Sequence, residues 1–191
     1  MTKPDCSADM AAEQALVARA RDGDGAAFRE LVERYEDLVA ATVTGMLGPG
    51  PEADDVGQQT FIRFYEALGQ YRGEGGVAPY LTRVAINLSL NALDRRQRWH
   101  RRFLSRDARG GLPDPATEGP APAFDRHELV QRALHHLSPK HRAVIVLRLI
   151  DGYSTRETAD LLGVPLGTVL SRLARAQRAL KDLLGPYLED A

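Results

Sequence analysis

The chain has 191 residues, 43% of them apolar, enough to bury one large or two small cores, and its formal net charge is −1. No apolar run reaches about eighteen residues and the start, MTKPDCSADM, puts no apolar stretch behind a basic one, so neither a membrane span nor a secretory signal is visible and a cytoplasmic location is expected. Cys6 is the only cysteine, which excludes an intrachain disulfide framework and a cysteine-cluster metal site.

Residues 1–10 read as a disordered N-terminal tail. From Ala11 apolar residues recur at helical spacing: Leu16 and Ala20, then Phe28, Leu31, Val32, Tyr35, Leu38, Val39 and Val43. This predicts two helices broken at Asp22-Gly23-Asp24-Gly25, with Asp24 as a cap for the second. After GPGPEADD a third helix carries Val56, Phe61, Ile62, Phe64, Tyr65 and Leu68; Pro51 followed by Glu52, Asp54 and Asp55 is a helix start, because carboxylates favour the positive end of the dipole. A glycine-rich loop, YRGEGGVAP, precedes a fourth helix with Tyr80, Leu81, Val84, Ala85, Leu88, Ala92 and Leu93, which runs into a cluster of arginines.

Charge is segregated along this half. Residues 1–94 hold 8 Lys and Arg against 15 Asp and Glu, a net of −7, whereas residues 95–109 hold seven Arg against Asp107 alone, a net of +6. Such asymmetry suggests one basic and one polyanionic partner. The bland alternative is that the arginines solvate a helix end. Residues 105–124, rich in proline and glycine without periodic apolar residues, read as a flexible linker.

Beyond the linker, Leu129, Val130, Ala133, Leu134 and Leu137 form a helix, and Ser138-Pro139 opens another, PKHRAVIVLRLI, that ends at Asp151-Gly152. Ser154 and Glu157 have the spacing of a capping box. A short helix to Leu162, the turn Gly163-Val164-Pro165 and a long amphipathic run with Val169, Leu173, Ala176 and Leu180 on one stripe make a helix-turn-helix pattern, whose second helix enters a major groove. Ala159 is expected at the helix crossing and Val164 as a plug. Gly167 and Thr168 allow close approach to phosphate, and Ser171, Arg172, Arg175 and Arg178 lie opposite the apolar stripe. No strand period holds over a useful length. The chain is expected to be all-α: two separately folded small helical domains, 11–104 and 125–188, joined by the linker.

The string SPKHRAVIVLRLIDGYSTRETADLLGVPLGTVLSRLARAQRAL, with its signature GTVLSRLARA, resembles the fourth conserved region of extracytoplasmic-function sigma factors of the sigma-70 family. Independently, EADDVGQQTFIRFYEALGQYRGEGGVAPYLTRVAINLSLNALDRRQRWHRR resembles their second region. The resemblance covers about four fifths of the chain. It implies a promoter-recognition subunit of bacterial RNA polymerase, with a four-helix region 2 domain, a helix-turn-helix region 4 domain, no catalytic residue, no metal and no cofactor. Asp54, Asp55, Gln58, Gln59 and Phe61 would face the β′ clamp helices, with the β subunit as a further contact. Tyr71, Arg72, Tyr80, Arg83, Asn87, Asn91, Arg95, Arg96 and Arg98 would meet the minus-10 element, and Ser154, Gly167, Thr168, Ser171, Arg172, Arg175 and Arg178 the minus-35 element. An anti-sigma partner is also implied.

Three positions depart from the family pattern. Gln59 stands where glutamate is usual, Leu170 where lysine is frequent, and Tyr80 where tryptophan is commoner; plain core packing is the favoured reading of Tyr80. The residues bear on two rival functions. His135, His136 and His141 near Asp151 lack HExxH, GxSxG or a Walker sequence, which argues against a hydrolase. A stand-alone dimeric helix-turn-helix regulator would bind a palindrome unaided.

Overall fold

The computed structural model describes residues 6–73, 75–104 and 126–188, and among them every regular element is helical. The first half holds α1 (Cys6–Arg21), α2 (Gly25–Leu47), α3 (Pro51–Ala67) and α4 (Val77–Leu104). The second holds α5 (Arg126–His136), α6 (Pro139–Ile145), continued by a π-helical turn over Val146–Ile150, α7 (Thr155–Leu162) and α8 (Leu166–Leu188). The expected linker, 105–124, lies outside the described residues. Helix α1 begins at Cys6, so residues 6–10 are helical rather than part of a tail. Apolar periodicity starts later than the helix does because a formed turn propagates through polar residues at little cost.

Local chemistry sets most of the boundaries. The Asp24 carboxylate accepts from the N–H groups of Ala26 and Ala27 at 2.9 and 3.2 Å, capping α2. Helix α3 opens on Pro51 with Glu52 and Asp54 in its first turn. At α7, Glu157 N–H donates to Ser154 Oγ at 3.2 Å and Ser154 N–H to Glu157 Oε2 at 2.7 Å, the reciprocal box its spacing predicts. That helix ends on Gly163 at φ +62, which a residue without Cβ adopts without strain. Ser138 precedes α6, but its side chain makes no cap bond.

Helix α2 is the spine of the first half, packed by α1, α3 and α4, with Leu31, Val39, Val43 and Met46 buried against Phe64, Leu81 and Ile86. In the second half α8 packs on α5, α6 and α7. Val144, Ala159 and Val169 meet at the crossing of the helix-turn-helix, with Val164 packed on them, as the sequence predicts.

The halves do not stand apart. Residues Ala143 to Leu147 of the PKHRAVIVLRLI helix are all buried, and they divide their contacts: Val144 and Ile145 pack into the second half, while Ala143, Val146 and Leu147 join the core of the first. A helix apolar on every side needs two neighbours to cover it. Gly45 of α2 admits the approach, since a Cβ there would lie 2.9 Å from Val146 Cγ2 and 3.2 Å from Ile150 Cδ1. Polar bonds cross the same seam: Thr42 Oγ1 with Asp151 Oδ2 at 3.0 Å, and Thr82 Oγ1 with the Tyr153 hydroxyl at 2.9 Å. Buried Arg142 donates to Met46 O at 2.5 Å as well as to His135 O and Leu137 O at 2.7 and 3.3 Å. Its charge therefore sits at the carbonyl ends of α2 and α5, where helix dipoles favour a cation. The two helical domains are therefore docked on one another across this seam: linker composition governs reach between domains and says nothing of the apolar face that α6 turns to α2.

Candidate nucleic-acid and protein interfaces

Helices α3 and α4 leave a polar groove between them. Gln59, Arg63 and Glu66 follow one another at four- and three-residue steps, so they share one face of α3, and Gln70 extends their row just past the helix end. Asn87, Asn91, Asp94, Arg95 and Arg98 do the same on α4, and the two stripes line opposite walls of the groove. Amides that both donate and accept, beside guanidinium donors, suit the edges and phosphates of an unpaired strand. Tyr80 forms part of the same wall and also packs its ring against Phe64 at 5.5 Å and Tyr71 at 5.2 Å, so core packing and groove lining coincide in one side chain.

Asp54, Asp55, Gln58 and Gln59 are exposed on α3, whereas Phe61 is half-buried against the core. Asp55 and Gln59 reach the groove wall, so residues expected to meet protein adjoin residues expected to meet DNA. At the far end of α4, Arg96 pairs with Glu52 at 3.0 Å and Arg98 with Asp94 at 3.6 Å. Each pair is about half exposed and contributes on the order of 0–1 kcal/mol, so a phosphate could displace either carboxylate. Trp99 lies in this arginine-rich surface, 55% exposed.

In the second half, Gly167, Ser171, Arg175 and Arg178 are exposed, Thr168 and Arg172 half-exposed, and Ser154 is exposed but spent on the cap of α7. Ser171 Oγ donates to Thr168 O at 3.0 Å. Among the described residues no ion pair involves Arg172, Arg175 or Arg178. Burial, then the nearby charges of Arg175 and Arg172, hold the His141 imidazole below its usual range. The start of α8 thus concentrates uncompensated positive charge on one exposed face, as a polyanion partner requires.

Comparison with known proteins agrees with both halves. Residues 31–99 match the family model "Sigma-70 region 2" and residues 127–180 match "Sigma-70, region 4". The RNA polymerase sigma-H factor of Pseudomonas aeruginosa is 34% identical over 187 residues, covering 94% of this chain and 97% of that protein. The chain belongs to the extracytoplasmic-function group of the sigma-70 family. The ECF RNA polymerase sigma-E factors of Haemophilus influenzae and Escherichia coli K12 are 31% and 32% identical, covering 95% and 92% of this chain and 100% and 96% of theirs. Among solved structures, CnrH in complex with the cytosolic domain of CnrY has a TM-score of 0.66 at 29% identity, over 92% of this chain and 98% of that one. The sigma factor RpoE in complex with the anti-sigma factor NepR from Bartonella quintana shares the fold, with a TM-score of 0.62 at 20% identity over 83% of this chain and 96% of that one.

Two of the expected strand contacts differ in their placement. Tyr71 is 8% exposed, its ring wedged edge-on against Phe64 at 5.6 Å, and belongs to the core instead of offering a face to a base. Arg83 is exposed but turned toward α7, with Nη2 at 3.5 Å from Asp160 O. Gln70 belongs to the loop that the sequence already associates with the strand, whereas Arg63 and Glu66 of the groove are not among the sequence candidates. Their spacing from Gln59 is the signal that marks them, and it is obscured because the apolar stripe of α3, not its polar one, identifies the helix. Among the described residues no helix is long and apolar enough to cross a membrane, and no group of three or more His, Cys, Asp or Glu is placed to hold a metal ion.

Proposed function

We propose that this sigma factor reads its promoter with two surfaces and works without catalysis of its own. The unit 11–104 binds core polymerase through the exposed Asp54, Asp55, Gln58 and Gln59 of α3, facing basic positions of the β′ clamp helices, and Phe61 supports that helix from the core side. The groove between α3 and α4 receives the unpaired minus-10 strand: Tyr80, Asn87 and Asn91 line it, Arg72 on the adjoining loop reaches the strand beyond it, and Arg95, Arg96 and Arg98 track adjacent duplex phosphates. The unit 125–188 sets α8 in the major groove of the minus-35 element, with Gly167, Thr168 and Ser171 near phosphate and Arg172, Arg175 and Arg178 on bases or backbone. Ser154 serves by capping α7. An anti-sigma protein as a further partner is supported by the likeness to CnrH, whose solved structure is a complex with CnrY.

The observation that carries this reading is the pairing, in one chain, of an amide- and arginine-lined groove on region 2 with a region 4 helix whose exposed arginines lack carboxylate partners among the described residues. In the docked arrangement Arg83 rests one exposed donor beside α7, at 3.5 Å from Asp160 O, a contact that a strand phosphate can replace. Run-off transcription from a promoter library with core polymerase, with and without the protein, tests the proposal. Stimulated initiation is expected, lost with Asp54 and Asp55 both changed to Ala. Tight core-independent binding to a palindrome, without stimulation, would favour a stand-alone regulator instead.

A further inference from the structure

The loop from α3 to α4 borders the strand-reading groove and carries Gln70 and Arg72. Its glycines at 73, 75 and 76 have φ of +73, +80 and +89, so the backbone itself prescribes no single path. What holds the path lies on α1, on the far side of the loop from the groove. Arg21 donates from Nε to Leu68 O at 3.0 Å and from Nη2 to Tyr71 O at 2.5 Å. One guanidinium thus takes two carbonyls where α3 ends and leaves its own acceptors without helical donors. At the other end of the loop Glu13 Oε1 accepts from the N–H of Val77 at 3.1 Å, the first residue of α4. A carboxylate on a helix's first free amide is favoured by the dipole. Glu13 Oε2 accepts from the Tyr35 hydroxyl, which fixes the carboxylate to α2. Between the two anchors the Tyr71 ring is pinned by Phe64 and Tyr80.

We infer that α1 is the positioning element of the strand-reading loop, with Glu13 and Arg21 clamping its exit and its entry while touching no nucleic acid. The inference rests on the proposed role of that loop beside the groove. Leaving Val77 N–H or the Leu68 and Tyr71 carbonyls without these partners frees a glycine-rich segment to sample paths on which Gln70 no longer faces the groove and Arg72 no longer lies beside α1.

The test uses the full-length protein bound to core polymerase, titrated with a fork promoter fragment whose minus-10 element is single-stranded. Glu13→Ala and Arg21→Ala should each weaken binding roughly five- to tenfold, because the strand must then order a loop that has lost its anchoring hydrogen bonds. Both should blunt discrimination among minus-10 bases, with core association and binding of minus-35 duplex unchanged. Glu13→Gln keeps an acceptor for Val77 N–H and Arg21→Lys keeps one donor, so each should recover part of the loss. Gln70→Ala and Arg72→Ala, in the same assay, report on the loop alone. If these two weaken strand binding while the α1 variants do not, the clamp is refuted and the loop reading stands. If none of the four changes it, both fall. A parallel loss of core association in the alanine variants that the conservative ones fail to relieve would make α1 a general scaffold and overturn the inference.

Discussion

Arg172 and Arg175 project from one face of α8 with the His141 imidazole nearby, and the like charges find no carboxylate among the described residues. Arg172→Ala should therefore cost on the order of 1–3 kcal/mol of minus-35 duplex affinity and relax preference at one position. Competition binding against substituted promoter fragments checks this, and an unaltered base preference would tell against the docking of α8. Asp151 shows charge used in the opposite way. Burial at the seam between the halves raises its pKa from 3.8 to about 6, against the lowering effect of the Thr42 hydrogen bond. Because the folded value is the higher one, the carboxyl's contribution to stability is complete below about pH 3.8 and is lost as pH rises through about 6. His135 works against it: burial, then Arg142, lower its pKa, so its protonation in acid opposes the folded form. Asp151→Asn isolates the carboxyl. The urea midpoint of the wild type should fall relative to that variant between about pH 4 and pH 6 and run parallel to it above about pH 7.

At the scale of elements, what was legible in advance is what local chemistry decides. The start of α7 was readable because a capping box involves four consecutive residues, and both of its bonds are present. Ser154→Ala should destabilise by about 1 kcal/mol. Thermal unfolding checks the size, and minus-35 affinity should fall only as far as the loosened α7 allows. The start of α2 at Asp24 and of α3 at Pro51 were legible for the same reason. The end of the α6 segment at Asp151 was legible too, but its change of helix type was not. Val146–Ile150 widen into a π turn, closed by Asp151 N–H on Val146 O at 2.9 Å, although nothing in an apolar run distinguishes that from a regular helix. The turn presents Leu149 and Ile150 at 58% and 43% exposure while keeping Val146 and Leu147 buried.

At the scale of the whole molecule the seam between regions 2 and 4 is built to fit. A glycine inside a helix is a local weakness of about 1 kcal/mol relative to alanine, so a larger residue at 45 should help α2 wherever space exists. Here it meets Val146 and Ile150. Gly45→Leu is thus a test of sign. With the halves docked it should destabilise the compact form by about 1–3 kcal/mol through overpacking, and solution scattering should report a larger radius of gyration. With the halves apart it should stabilise α2 and leave the dimensions unchanged.

Helical class, element order, the caps of α2 and α7 and the helix-turn-helix were determined by the sequence alone, since apolar spacing and side-chain-to-backbone bonds act over a few residues. So was family membership, carried by strings such as GTVLSRLARA. The tertiary structure alone decided that Tyr71 is core, that Arg83 reaches α7, that α1 grips the loop beside the groove, and that α6 joins two cores. Each of these depends on residues far apart in the chain meeting in space, and periodicity within one helix names its faces but not the partner each face will find.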